Sequence, residues 1–339
     1  MTKKIYLIAL SLFISVEAFA QSVDVHFNGM GFLDNREYKD FVARSRTYSG
    51  TRTALDFGVN VDSLNSFVVG VNAIHEFGAM PYFLKVDPVA YYRFKNKNWQ
   101  FNAGEFPREG LLDNYPRALL NDTLRYYRPN VEGLYLQFHN SHVTQNIWID
   151  WVSRQTNTQR EEFLVGFSGK YKPAENGPFY ISHYFLILHD AGAAVLTQDD
   201  HITDNGALQV RLGMDLSHKT VFDSLSFEAG GMVSLERTRG LNSGRSPKGF
   251  VASAYLSYKR FAIFDEFYKG EGSHIFYGDS FFEKTTYNRL DLIITPFLYN
   301  HIKGQFVFSI HRTPGYTSNQ EAFRVTYDIG RKVIARFKD

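Results

Sequence analysis

Residues 54–61 read Ala-Leu-Asp-Phe-Gly-Val-Asn-Val, with Leu55, Phe57, Val59 and Val61 alternating against Ala54, Asp56, Gly58 and Asn60. A strand sends successive side chains to opposite faces, so this segment offers one apolar wall and one wet wall. Leu208, Val210, Leu212, Met214 and Leu216 repeat the pattern against Gln209, Arg211, Gly213, Asp215 and Ser217. Phe323, Val325, Tyr327 and Ile329 do so against Arg324, Thr326 and Asp328. Carried around a closed sheet, the pattern predicts a transmembrane antiparallel up-and-down β-barrel with lipid outside and water inside. A secreted β-sandwich also alternates, but its strands average about 5–6 residues, and these run longer.

The strands are separated by turn-rich connections. Short ones fall at Asp62–Asn65, 95–98, 140–142, 173–177, 217–220, 258–260 and 298–300, and long ones near 107–122, 154–161, 190–205, 238–248, 270–285 and 313–321. The first strand is placed at about 23–33 and the second at about 51–61. This gives about 16 strands with both termini on the short-turn side, which in bacterial barrels is the periplasmic side. Pro129 marks either a bulge or a turn within 124–138. Segments 179–189 and 261–268 are apolar on both faces and leave inside and outside unassigned. Continuing the last strand's parity would point Arg331 at lipid, so a bulge at Gly330, or a position near the interface, is expected.

Lys3 and Lys4 precede an apolar run over 5–16, and Ala18-Phe19-Ala20 fits a signal-peptidase site. The run is too short to span a bilayer, which takes about 20 residues. Residues 1–20 are therefore expected to be a signal peptide cut near Ala20/Gln21, with 21–339 an outer-membrane barrel of a Gram-negative bacterium. The 37 basic and 35 acidic residues nearly cancel, which gives no reason to expect nucleic acid as a partner. The absence of cysteine excludes disulfides, thiolate metal sites and an N-terminal lipid anchor. The 31 Phe and 21 Tyr suit aromatic girdles at the membrane interfaces.

Several blocks carry a resemblance. They are Gly31–Tyr38, His75–Gly78, Gly104–Arg108, Asp113–Arg117, Tyr126–Asn130, Ile149–Trp151, Asp199–His201, Gly278–Ser280 and Tyr287–Arg289. The chain resembles a porin-like outer-membrane β-barrel family of Bacteroidota that is functionally unassigned. The resemblance implies the fold and the membrane and brings no catalytic motif.

The connection after the fifth strand gathers Glu105, Arg108, Glu109, Asp113, Arg117, Asp122, Arg125 and Arg128. Opposed guanidinium and carboxylate groups across a pore would make a transverse field that selects solutes. Leu111, Leu112, Ala118, Leu119 and Leu120 give the segment apolar surface on which to pack. The competing reading is an outward loop whose charges pair among themselves or with lipopolysaccharide. Lumen-lining candidates on strands are Asp56, Asp150, Arg154, Arg211, Asp215, Glu228, Arg289, Asp291, Arg324 and Asp328, with Lys170, Glu236 and Lys303 beside them. Both signs occur, so weak ion selectivity is expected.

Asp199, Asp200, His201 and Asp204 do not match the spacing of a calcium loop, and no cofactor or metal is expected. Ser280 with Asp279 and His274 is the nearest approach to a hydrolytic set, and no G-x-S-x-G or H-E-x-x-H occurs. The expectation is a non-enzymatic porin-like channel for passive diffusion of small hydrophilic solutes. Its partners would be outer-membrane lipid, lipopolysaccharide and small polar solutes, in an oligomeric state the residues do not specify. The alternatives are a sealed structural or accessory barrel in an uptake or export assembly, or an outer-membrane hydrolase.

Overall fold

The computed structural model describes residues 21–337 apart from 196, 198, 199, 242 and 243. The expected signal peptide and Asp199 lie outside the described residues. The chain runs through β1 (Ser22–Glu37), β2 (Arg46–Asn60), β3 (Asn65–Glu76), β4 (Lys85–Lys95) and β5 (Trp99–Pro107). A long connection containing one helical turn, α1 (Leu124–Tyr127), leads to β6 (Asn130–His139), β7 (Val143–Ser153) and β8 (Glu161–Tyr171). Next come β9 (Phe179–Gly192), β10 (Thr203–Asp215), β11 (Ser224–Thr238), β12 (Lys248–Tyr258) and β13 (Phe261–Gly270). A 3-10 turn at Ser280–Glu283 precedes β14 (Thr286–Tyr299), β15 (Ile302–Thr313), β16 (Tyr316–Asp328) and β17 (Lys332–Arg336).

Each strand from β1 to β15 pairs antiparallel with the next, and β1 returns to pair with β16, from Asn28↔Asp328 to Glu37↔Asn319. The remaining end of β1 pairs with β17, from Ser22↔Arg336 to Val25↔Lys332. β16 and β17 therefore share one position in the wall, and the result is a closed barrel of 16 strands. Closure removes the unpaired edge, which is what allows a sheet to stand in hydrocarbon. Gly330, at φ 63, lies in a break between the two pieces, where a bulge or an interfacial position was expected. The break turns Arg331 inward onto Asp24 (2.7 Å) and Asp56 (2.6 Å).

The alternation is realised in the wall. Leu208, Val210 and Leu212 are exposed, whereas Gln209 and Arg211 between them are buried. Phe27, Leu55 and Val71 sit in one cross-strand row on the outside. Trp99, Tyr171, Phe179, Tyr258, Phe261 and Tyr299 stand exposed beside the short turns, forming a girdle at that rim. Both described chain ends lie at the same rim, since Ser22 pairs with Asn60 at the end of β2.

Three expectations about connections need correction. Residues 313–321 are not a long connection: Pro314 and Gly315 make a tight turn and β16 starts at Tyr316. Likewise β1 runs on to Glu37. Both strands rise past the apolar belt, so their polar outer faces resemble loop in sequence. The connections 172–178 and 216–223 are about as long as several on the opposite rim, so length alone does not separate the two sides. Segments 179–189 and 261–268 are apolar on both faces because their inward residues Tyr184, Leu186, Leu188 and Tyr268 pack against material filling the lumen.

Candidate functional site

That material is the β5–β6 connection, residues 108–129. It leaves the wall at Pro107, folds into the lumen and returns at Pro129, where Arg108 donates its backbone N–H to the Pro129 carbonyl (2.7 Å). Pro129 thus marks the end of an insert and not a bulge. Leu112, Tyr115, Ala118, Leu119, Leu120, Leu124 and Tyr126 are all buried, which an outward loop would not permit. Tyr115 packs edge-on to Trp148, whose indole N–H donates to the Tyr115 hydroxyl (2.9 Å). Trp148 fits because position 166 is glycine: a Cβ there would lie 2.2 Å from the indole ring.

A second inward element, in the β13–β14 connection, was not foreseen from sequence. Asn121 donates its backbone N–H to the Tyr277 carbonyl and Asp279 donates to the Arg117 carbonyl, both at 2.8 Å. Gly278 permits this approach, because a Cβ there would stand 2.2 Å from the Ala118 oxygen. The available signal was Ile275, Phe276, Tyr277, Phe281 and Phe282, an apolar density too high for a connection facing water.

At mid-lumen the two inserts and the wall meet in a charged knot. Asp122 accepts from Arg117 (3.2 Å) and lies 3.6 Å from Arg289. Asp291 accepts from the same two arginines, at 3.1 Å from Arg117 and 2.7 Å from Arg289. Burial alone would raise the Asp122 carboxyl, but Arg117, Arg289 and Arg324 together hold it well below the usual carboxylate range. Asp279, buried beside the knot and in no ion pair among the described residues, is pushed up by that burial. Next to the knot, Arg324 donates to the Tyr126 hydroxyl (2.9 Å), which donates to Asp34 (3.3 Å). Tyr126 also stacks on Phe32, with centroids 4.4 Å apart.

The other expected residues are placed as follows. Arg108 pairs with fully buried Asp150, which Arg128 also approaches, and Arg52 pairs with Glu109. Asp113 accepts from the Gly110 N–H (2.8 Å). Arg125 makes no ion pair among the described residues. Glu105 remains on β5, in a cross-strand row with Glu132, and accepts from Asn130, so it does not join the knot. Arg211 bridges Glu228 and Glu266 on the wall. Asp215 accepts from Ser217 and Asp56 from Arg331.

Two lumen candidates fall elsewhere. Arg154 lies past the end of β7 in an exposed connection, because the strand stops at Ser153. Asp328 closes β16 at the rim, largely exposed, and bonds His26 (3.0 Å). His274 pairs with Glu283 (2.8 Å) and not with Ser280, while Asp279 caps the 3-10 turn by accepting from Phe281. Among the described residues no cluster of three metal-ligating side chains occurs. Asp200 is taken by Arg160, and Asp204 by Arg239 and His189.

Three cavities that border the β5–β6 insert share Asp122 in their linings. One of about 240 Å³ opens on the long-connection side, among Arg36, Tyr38, Arg44, Tyr48 and Ser280. Two others lie toward the short turns. One of about 260 Å³ is lined by Arg52, Lys303 and Arg324, and one of about 340 Å³ by Arg211, Glu228 and Glu266.

The fold is shared with solved outer-membrane barrels. A loop-L8 deletion mutant of OmpT, an outer membrane protein of Vibrio cholerae, superposes with a TM-score of 0.57 at 10% identity, over 91% of this chain and 99% of that one. Pseudomonas aeruginosa OprD gives 0.55 at 9% identity, over 94% and 98%. Salmonella typhi OmpF in a complex with daunomycin gives 0.52 at 10%, over 92% and 99%. At such identities the likeness establishes the fold alone. No curated protein matches this chain. The sequence model of a family described as lipid A 3'-O-deacylase-type matches residues 15–336. That description is of an enzyme activity, so the expectation of a non-enzymatic protein is overturned.

Proposed function

The chain belongs to the lipid A 3'-O-deacylase-type family, and within it we propose a member that sits in the bacterial outer membrane and passes small polar solutes through a constricted lumen. The exposed apolar belt and the aromatic girdle support the membrane placement, with the short-turn rim toward the periplasm. One observation carries the conduit: the β5–β6 insert divides the lumen into charged chambers that meet at Asp122. Opposed Arg117, Arg289, Asp122 and Asp291 at that point form the constriction, and solute size and charge are sorted there. Purified protein in a planar bilayer should give small, discrete conductance steps with a reversal potential near zero in a salt gradient. Absence of steps at every voltage would count against the conduit.

Family membership favours a second reading, ester hydrolysis on lipid A at the outer leaflet. No hydrogen bond joins a serine to a histidine among the described residues, so that chemistry would have to use other groups. Mass spectra of lipid A from cells with and without the protein decide it. Loss of one acyl chain only in the expressing cells would establish the activity.

A further inference from the structure

We propose that the cavity of about 260 Å³ on the short-turn side of the insert is a binding site for a compact organic polyanion, one bearing two or three carboxylates or phosphates. The inference rests on the conduit reading and names the class of solute that would dwell in it. Its lining holds five cationic side chains against three carboxylates. The carboxylates are already engaged: Asp122 by Arg117, Glu109 by Arg52, and Asp113 by the Gly110 N–H. The cations are not all engaged. Arg125 comes from the insert and Lys303 from β15, and neither makes an ion pair among the described residues.

A second observation points the same way. The Nε of Arg52 and the Nη1 of Arg108 are buried donors with no hydrogen-bond partner, on side chains that line this cavity and are each at least nine-tenths buried. Those two guanidiniums are thus incompletely satisfied, and the positive balance of the lining gives the chamber a potential that draws an anion. The neighbouring cavity of about 340 Å³ has the opposite balance, three arginines against five carboxylates, so an anion is favoured in one chamber and repelled from the next. The volume lies below the range of about 300–1,000 Å³ typical for drug-sized ligands, so the guest is small.

Isothermal titration calorimetry of the detergent-solubilised full-length protein tests this, with citrate in one arm and pyrophosphate in another. Saturable binding at one site per barrel is expected, weakened at least tenfold in the Arg125→Gln/Lys303→Gln double variant, whose folding is checked by gel mobility before boiling. Binding in one arm alone supports the site and assigns its group. Silence in both arms, or affinity unchanged in the double variant, overturns it. In bilayers, citrate added at the short-turn side should reduce the potassium chloride current saturably. A channel that conducts but neither binds nor responds to either anion sinks the site and leaves the conduit standing. Binding without any conductance sinks the conduit and leaves the site.

Discussion

Asp122 shows how one carboxylate can organise a lumen. It is shared by Arg117 and Arg289 and borders three cavities around the insert. Removing one partner from a buried charge cluster leaves the others uncompensated, which costs about 3–5 kcal/mol. Asp122→Asn should therefore lower unfolding stability toward the bottom of that range, because water reaches part of the site; denaturant titration of the refolded barrel reads it. The pH response follows from the same group. Its folded value lies below its unfolded value, so the pairing contributes fully above the usual carboxylate range and is lost as pH falls through the depressed value. The insert should stay docked from neutrality down to about pH 5 and come loose only well below about pH 4. Trp148 emission, recorded in a variant whose Trp99 and Trp151 are replaced by Phe, reports the loss of its Tyr115 contact. Gly166→Ala perturbs the same contact by overpacking, at about 1–3 kcal/mol, and should shift that emission at neutral pH.

At the scale of elements, the β5–β6 connection is an internal wall. Deleting residues 109–127 should leave the barrel closed, because the ladders of β5 and β6 do not depend on it, and should raise single-channel conductance several-fold in bilayers. How much could be read beforehand follows the chemistry of each surface. Strand centres such as 54–61 and 208–214 were legible because lipid demands apolar residues on one face. The strand ends 34–37 and 316–321 were not, because above the belt both faces meet water or polar insert. The charged residues of the insert were legible as a set from their density between Arg108 and Arg128. The partner Asp34, 92 residues from Tyr126, and the contribution of Gly278–Phe282 depend on contacts between distant residues that no local pattern encodes. Arg331 was a partial success: its departure from the lipid-facing parity followed from the cost of lipid exposure, but its inward turn onto Asp24 and Asp56 did not.

For the whole molecule, a belt of outward Leu, Val and Phe around a hydrogen-bonded cylinder predicts resistance to detergent. The protein should migrate faster on gels before boiling than after, and identical mobility would contradict a closed barrel.

The meeting of β1 and β16 has a further implication for biogenesis. Those strands come from opposite ends of the polypeptide, yet Tyr126, made about a third of the way along, touches Asp34 on one and Arg324 on the other. The mid-chain segment thus stands as a clasp behind the join, and in the intact chain it has to enter the lumen before or while the two ends mate. An insertion machinery that keeps them apart until then yields a finished cylinder; early mating would strand the segment outside.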